Sequence, residues 1–317
     1  MDDTPAPPDD LVYSKRPGTR VIYRARQRRA DRTVWLGLFL HLPSLLVSAA
    51  LVGLLAVSVE SWLGLPAWAA AALWALSGAA AFHRPSERFL ARHVLRLHRP
   101  LPEEHRALAP LWHEVTARAG VDGRRYELWV EDSGDLNAFA AAGHIVAVTR
   151  RALHELPTSR LAAVLAHELG HHTNGHAWAG TLAWWYAAPW RLLRHALTRA
   201  VRPLLRNARG YSVATLVLLA VIAGHLALVT LQATYGLPLL LVAAPYLTAA
   251  VRRRAELRAD AHAARLGFGH PLALTLYERM KAEVAGPQPS ARPGLAARLL
   301  SEHPDYRTRL HHLRAHL

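Results

Sequence analysis

Two histidines four positions apart, with a glutamate directly after the first, give residues 162 to 178 (AAVLAHELGHHTNGHAW) their chemical interest. At about 100° per residue, His167 and His171 fall only ~40° apart around a helix, so both imidazoles reach one cation. Glu168, beside them, is suited to exchanging a proton with water activated there; this is the HExxH spacing of metal-assisted peptide hydrolysis. His172 is turned about 100° from His171, and His176 about 180° from His167, so neither is expected to ligate. The chain has no cysteine. Disulfides and thiolate sites are therefore excluded, and a metal has to sit on histidine and carboxylate, which points to one Zn2+ per chain.

Two imidazoles and a water leave one protein ligand to find. The pattern HExxHxxGxxH would supply it at position 177, which is alanine. A downstream candidate is VRRRAELRADAHAARLG, residues 251 to 267, where Glu256 and Asp260 share one helical face. Glu256 would ligate the ion, and Asp260 would hydrogen-bond a ligand histidine and fix its ring. On their own these residues fit better a charged helix whose carboxylates pair with neighbouring arginines.

The elements that must hold these groups are legible in outline. Pro157, Thr158 and Ser159 suit a helix start; Leu161, Val164, Leu165 and Leu169 repeat with helical spacing, and Gly175 stops it. Strands are expected at 126–130 and 144–148, and helices at 101–119 and 272–284. GPQPSARPG, 286–294, reads as a loop and a candidate lid.

Other parts of the chain fit lipid. Residues 33–59, 61–82 and 211–251 contain no Asp, Glu, Lys or Arg, and a spanning helix needs about 20 apolar residues. Four spans in two hairpins are expected, the second turning near 232–236. The formal charge is +15, from 38 Lys+Arg against 23 Asp+Glu. The cations cluster beside the apolar blocks, at 1–32, 83–99, 190–210 and 252–254, while Glu60 alone separates the first two. Positive flanks mark the cytoplasmic side, so everything but the short turns is expected inside a cell (inner or plasma) membrane. This accounts for the charge without nucleic acid, for which no motif is present. Tryptophans and a tyrosine within 177–190 read as an interfacial belt, and the arginine-rich stretch after it as a helix at the headgroups. The acidic, proline-rich start is not expected to act as a cleavable signal.

The expected organisation is a disordered basic arm (1–32), hairpin 1 (33–82), the first catalytic part with the HExxH helix (83–210), hairpin 2 (211–251) and a second catalytic part (252–317). HELGH followed by AELRADAHAA, with one hydrophobic hairpin between them and another upstream, resembles the M48 family of zinc metalloproteases, and within it the HtpX-type membrane proteases. DLNAFAAAGHIVAVTRRAL (135–153) and SEHPDYRTRL (301–310) are similar to the family's strand ahead of the catalytic helix and to its C-terminal His-Pro motif. The resemblance covers residues 100 to 315 as motifs. It implies an α+β, mainly helical, zincin-like (gluzincin) catalytic domain with a small sheet, and an endopeptidase acting on membrane or misfolded proteins. It further implies metal ligands His167, His171 and Glu256, with Asp260 behind them and Glu168 catalytic. His303 and Arg309 would stabilise the oxyanion, and Asn137, Ala138 and Phe139 would line the substrate cleft. The alternatives are a protease of prenylated C-terminal peptides, whose relatives carry more spans, and a zinc-binding membrane sensor or scaffold without turnover. The oligomeric state is not legible.

Overall fold

The computed structural model describes residues 9–13, 31–206, 210, 212–285 and 295–317. In chain order the helices begin α1 (Arg32–Leu40), α2 (Leu42–Leu63), α3 (Ala67–Ala80), α4 (Arg84–Phe89), α5 (Pro102–Ala119), α6 (Arg150–Glu155) and α7 (Thr158–Thr173). They continue as α8 (His176–Tyr186), α9 (Ala188–Arg206), α10 (Val213–Ala233), α11 (Leu237–Ala263), α12 (Gly269–Ala285), α13 (Leu295–Leu300) and α14 (Tyr306–Arg314). Four strands, β1 (Leu97–His98), β2 (Glu127–Glu131), β3 (Ala138–Ala141) and β4 (Ile145–Thr149), form one sheet. The described chain is thus α+β and mainly helical. It divides into two compact units: one of Met1–Leu36, Ala79–Thr181 and Ala249–Leu317, the other of Gly37–Gly78 and Leu182–Thr248.

In the first unit the sheet order is β1-β2-β4-β3. β4, IVAVT, is β-branched at four of its five positions and buried throughout, as suits a strand paired on both sides. It runs parallel to β2 and antiparallel to β3, with Ala140 opposite Val146. The expected strands 126–130 and 144–148 are each found one residue later. Their side chains alternate between two cores. Trp129, Ile145 and Ala147 pack with Ala91 and Leu97, while Val130, Val146 and Val148 join the main helical core. That core includes Leu108, Leu111 and Val115 of α5, Leu161, Leu165 and Leu169 of α7, and Leu272 and Leu276 of α12. The i, i+4 leucines bury one side of α7 and so fix the direction in which His167 and His171 point.

Helix α7 has no side-chain cap of its own, because its N-cap is Pro157. The cap comes from the N-terminal segment. Asp10 accepts hydrogen bonds from the Ser159 backbone N–H at 2.8 Å and the Ser159 hydroxyl at 2.7 Å. The Thr158 hydroxyl donates to Asp9 at 2.8 Å, Leu11 packs on the core and Arg118 donates to the Val12 carbonyl at 2.5 Å. Within the arm expected to be disordered over 1–32, residues 9–13 bind this specific helix end and residues 31–32 are also described; 1–8 and 14–30 lie outside the described residues, as does the expected loop at 286–294. Losing an N-cap costs about 1 kcal/mol. Asp10→Ala is therefore expected to lower the thermal midpoint by roughly 2–4 °C, as for a domain of this size, whereas Asp10→Asn, itself a good cap, should not. Scanning fluorimetry of the three proteins checks this.

In the second unit, α2 and α10 are the helices long and apolar enough to cross a bilayer among the described residues. Four spans were expected. Helix α3 has 14 residues, about 21 Å at 1.5 Å each, against a hydrocarbon core of about 30 Å. The uncharged block is longer than the helix because residues 64–66 are spent on a turn, with Gly64 in the left-handed region (φ 70°). The second turn falls at 234–236, within the expected segment, and uses positive φ at Tyr235 and Gly236. Residues 237–251 run without interruption into 252–263 as the single 27-residue helix α11. The expected boundary at 251/252 thus falls inside a continuous helix, three residues from the 248/249 division between the two units. Next to α3, Trp185 donates to the Ser77 hydroxyl at 2.9 Å and Tyr186 to the Ala75 carbonyl. Gly78 leaves room for the Tyr186 ring, which any side chain there would overlap.

Candidate metal and active site

Helices α7 and α11 approach each other at Gly170. A Cβ on that residue would stand 3.2 Å from the Ala259 Cα and 3.3 Å from the His262 Cβ. The contact lies one residue before His171 and between Glu256 and Asp260 in sequence, so it sets how closely the two motifs meet. An alanine at 170 would gain about 1 kcal/mol of helix propensity and lose a comparable amount to crowding. Gly170→Val adds two further methyl carbons against backbone and should cost about 1–3 kcal/mol as overpacking. It is also expected to weaken metal retention; equal zinc content in Gly170→Val and wild type after dialysis would remove this role.

Across that contact the expected ligands converge. His167, His171 and Glu256 each offer one donor atom within 4.8 Å of the others. His171 Nε2 is 3.2 Å from Glu256 Oε1, and His167 Nε2 is 3.6 Å from Glu256 Oε2. The two Nε2 atoms face each other at 3.3 Å. Behind them, His167 Nδ1 lies 2.8 Å from Asp260 Oδ1, an ion-pair distance that is not fully aligned as a hydrogen bond. Asp260 is fully buried and accepts both arms of Arg309, Nε at 2.8 Å and Nη2 at 2.6 Å. Two imidazoles and a carboxylate are a donor set that suits zinc. The electrostatics agree. Burial opposes a charge on His167, yet the carboxylates of Asp260 and Glu256 outweigh it and push the imidazole up to about 10. Burial likewise raises Glu256, but the histidines around it hold its carboxyl far below the usual range. The pocket is thus built around positive charge.

Glu168 is buried and outside the ligand group. Burial raises its pKa, against the opposing charges of His167 and His171, and the Ala140 N–H donates to its carboxylate. A buried carboxyl whose pKa is raised in this way is suited to taking and returning a proton. Ala140 belongs to β3, the edge strand, whose other side pairs with β4.

The remaining expected residues are distributed as follows. His303 Nδ1 reaches Glu256 Oε2 at 3.3 Å from an exposed position. Arg309 is turned inward onto Asp260, with Nη1 3.6 Å from Glu256. Asn137 is exposed and engages through its backbone: its carbonyl accepts from the Thr149 N–H and hydroxyl, both at 2.9 Å. Ala138 is buried, and Phe139 packs on the Trp129 core, so these two face the protein interior. His172 is a buried core residue bonded to the Ile145 carbonyl at 2.8 Å, and His176 meets the Thr33 hydroxyl at 3.1 Å. Three contributors were not read from the sequence. Gly170 acts by lacking a side chain and Ala140 through its backbone. Arg279 on α12 donates to the Leu136 carbonyl at the head of β3. Of these, only Gly170, inside HELGH, left a signal.

The model of Peptidase family M48 matches residues 102–317, more than half of the chain. A comparison with curated proteins gives no match. The matched span contains both histidines, Glu168, Glu256 and the 301–310 motif, which the fold has just brought together; the chain belongs to peptidase family M48, and with it to the metalloproteases.

Proposed function

We propose that the chain is an integral-membrane zinc endopeptidase of the HtpX type, hydrolysing peptide bonds of membrane or misfolded proteins at the cytoplasmic face. The convergence of His167, His171 and Glu256 beside buried Glu168 carries this reading. The apolar helices α2 and α10 support a membrane location, and the three uncharged blocks between arginine-rich flanks, the third long enough for two spans, favour four spans with the catalytic part inside. Zinc, held by the three ligands, would supply Lewis acidity that polarises a carbonyl and acidifies water.

The chain's own groups do the rest. The open edge of β3 pairs with an extended substrate backbone and aligns it along the catalytic helix. Glu168 takes the proton of the attacking water as the C–O bond forms. It returns that proton to the amide nitrogen as the C–N bond breaks, leaving a carboxylate and an amine. His303, at the exposed side of Glu256, stabilises the negative charge that develops on the carbonyl oxygen. Arg309 positions Asp260, and Asp260 positions the His167 ring with its Nε2 lone pair toward the ligand site.

The test is cleavage of unfolded casein by the purified full-length chain in detergent. Cleavage that stops on chelation and returns with zinc is expected. Zinc bound without turnover on unfolded protein or on prenylated peptides would overturn the reading in favour of a sensor or scaffold; turnover of prenylated peptides alone would overturn the substrate class.

A further inference from the structure

Helix α9 differs from the spanning helices. α10 carries no Asp, Glu, Lys or Arg, as a helix surrounded by lipid requires. In α9, at 100° per residue, Arg191, Arg194, Thr198, Arg199, Arg202 and Arg206 share an arc of about 140°. Leu192, Leu193, Ala196, Leu197, Ala200 and Val201 occupy the opposite side. The apolar side is bare: Leu192 is 71 % exposed, Leu197 50 % and Val201 43 %. α9 contains no acidic residue, and Arg194, Arg199, Arg202 and Arg206 form no ion pair among the described residues.

The start of α9 is fixed at a definite depth within its unit. The Trp190 N–H donates to the Ser48 hydroxyl at 3.2 Å, six residues into α2, or about 9 Å from its first residue. Trp185 is bonded to Ser77, three residues from the end of α3. Ser48 thus lies near the start of α2 and Ser77 near the end of α3, which leads into the basic segment 83–99, and Arg191 stacks on Trp184 at 4.4 Å. From Arg194 to Pro203 the helix is exposed. A strongly basic face, a bare apolar face and an aromatic anchor at span-end level are what a helix in the plane of a bilayer surface needs. A nucleic acid would satisfy the arginines and leave the leucines in water.

We propose that α9 is an in-plane helix that docks on anionic lipid headgroups of the leaflet from which α2 enters, with Leu192, Leu197 and Val201 among the upper acyl chains. The inference rests on the membrane reading above. The chain has no cysteine, so Leu197→Cys, Arg199→Cys and Ile222→Cys each carry one fluorophore on the full-length protein. The three are compared in nanodiscs of phosphatidylcholine, with or without phosphatidylglycerol, containing lipid brominated on its acyl chains. The probe at 222, within α10, should be quenched in both. The probe at 197 should be quenched strongly only with phosphatidylglycerol, and that at 199 in neither. Each arginine near a charged surface contributes about fivefold. Arg194→Gln with Arg202→Gln should therefore lower the docked-to-undocked ratio at 197 more than tenfold. A probe at 197 that is unquenched, or equally quenched in both lipids, while 222 behaves as stated, overturns the docking of α9 alone. Absence of quenching at 222 overturns the membrane reading and the docking with it.

Discussion

Glu168→Gln is expected to retain zinc and fold while lowering casein hydrolysis by about 10²- to 10⁴-fold, the usual contribution of a positioned general base. The amide matches the carboxyl in shape and can still accept the hydrogen bond from Ala140. Glu168 lies outside the ligand group, so its change leaves three donors in place. What is lost is the ability to take a proton from water. The loss should appear in kcat, with KM little altered, because β3 presents its backbone edge unchanged. A Glu168→Gln protein that cleaves at the wild-type rate would exclude the proposed proton route.

Glu256→Ala should act one step earlier, on the metal. It reduces the donor set to two imidazoles and removes the partner of His303 and of Arg309 Nη1. Changing a residue that merely supports a ligand typically costs 10- to 100-fold in affinity. Removing the ligand itself should therefore cost more than about 100-fold. Because an ion bound only by the native state adds its binding energy to folding, the variant should also lose most of the rise in thermal midpoint that zinc gives the wild type. The Asp260–Arg309 pair remains to support the fold. Dialysed Glu256→Ala that keeps one zinc per chain would show that the third donor has been misassigned.

What could be read from the chain follows from how local each signal is. The His167–His171 pair was legible because a helical repeat of 3.6 puts i and i+4 together regardless of context. The direction of α7 was legible in the same way from its leucines. Glu256 was different. Its neighbourhood contains five arginines within 251–258 and 265, and nothing local separates a ligand carboxylate from an ion-paired one. Only the resemblance selected it, and only the tertiary approach at Gly170 shows why the two helices meet there. Arg309 was legible as a motif residue but not as a partner of Asp260, since a bond across 49 residues leaves no local pattern. The uncharged blocks located lipid-compatible segments, yet charge marks where lipid ends and not where a helix ends. Hence α3 is shorter than its block, and α11 runs through its boundary. The docking of Asp9 and Asp10 on Thr158 and Ser159 was hidden for the same reason, since the capping residues sit about 150 positions away from the helix they cap.

The most direct test is X-ray absorption at the zinc edge on the purified full-length chain, together with its metal content. One zinc per chain is predicted, with two imidazole nitrogens and at least one carboxylate oxygen in its first coordination sphere. The oxygen contribution should change in Glu256→Ala but not in Glu168→Gln. A chain that binds no zinc under native conditions, or a coordination sphere indifferent to residue 256, would contradict the account.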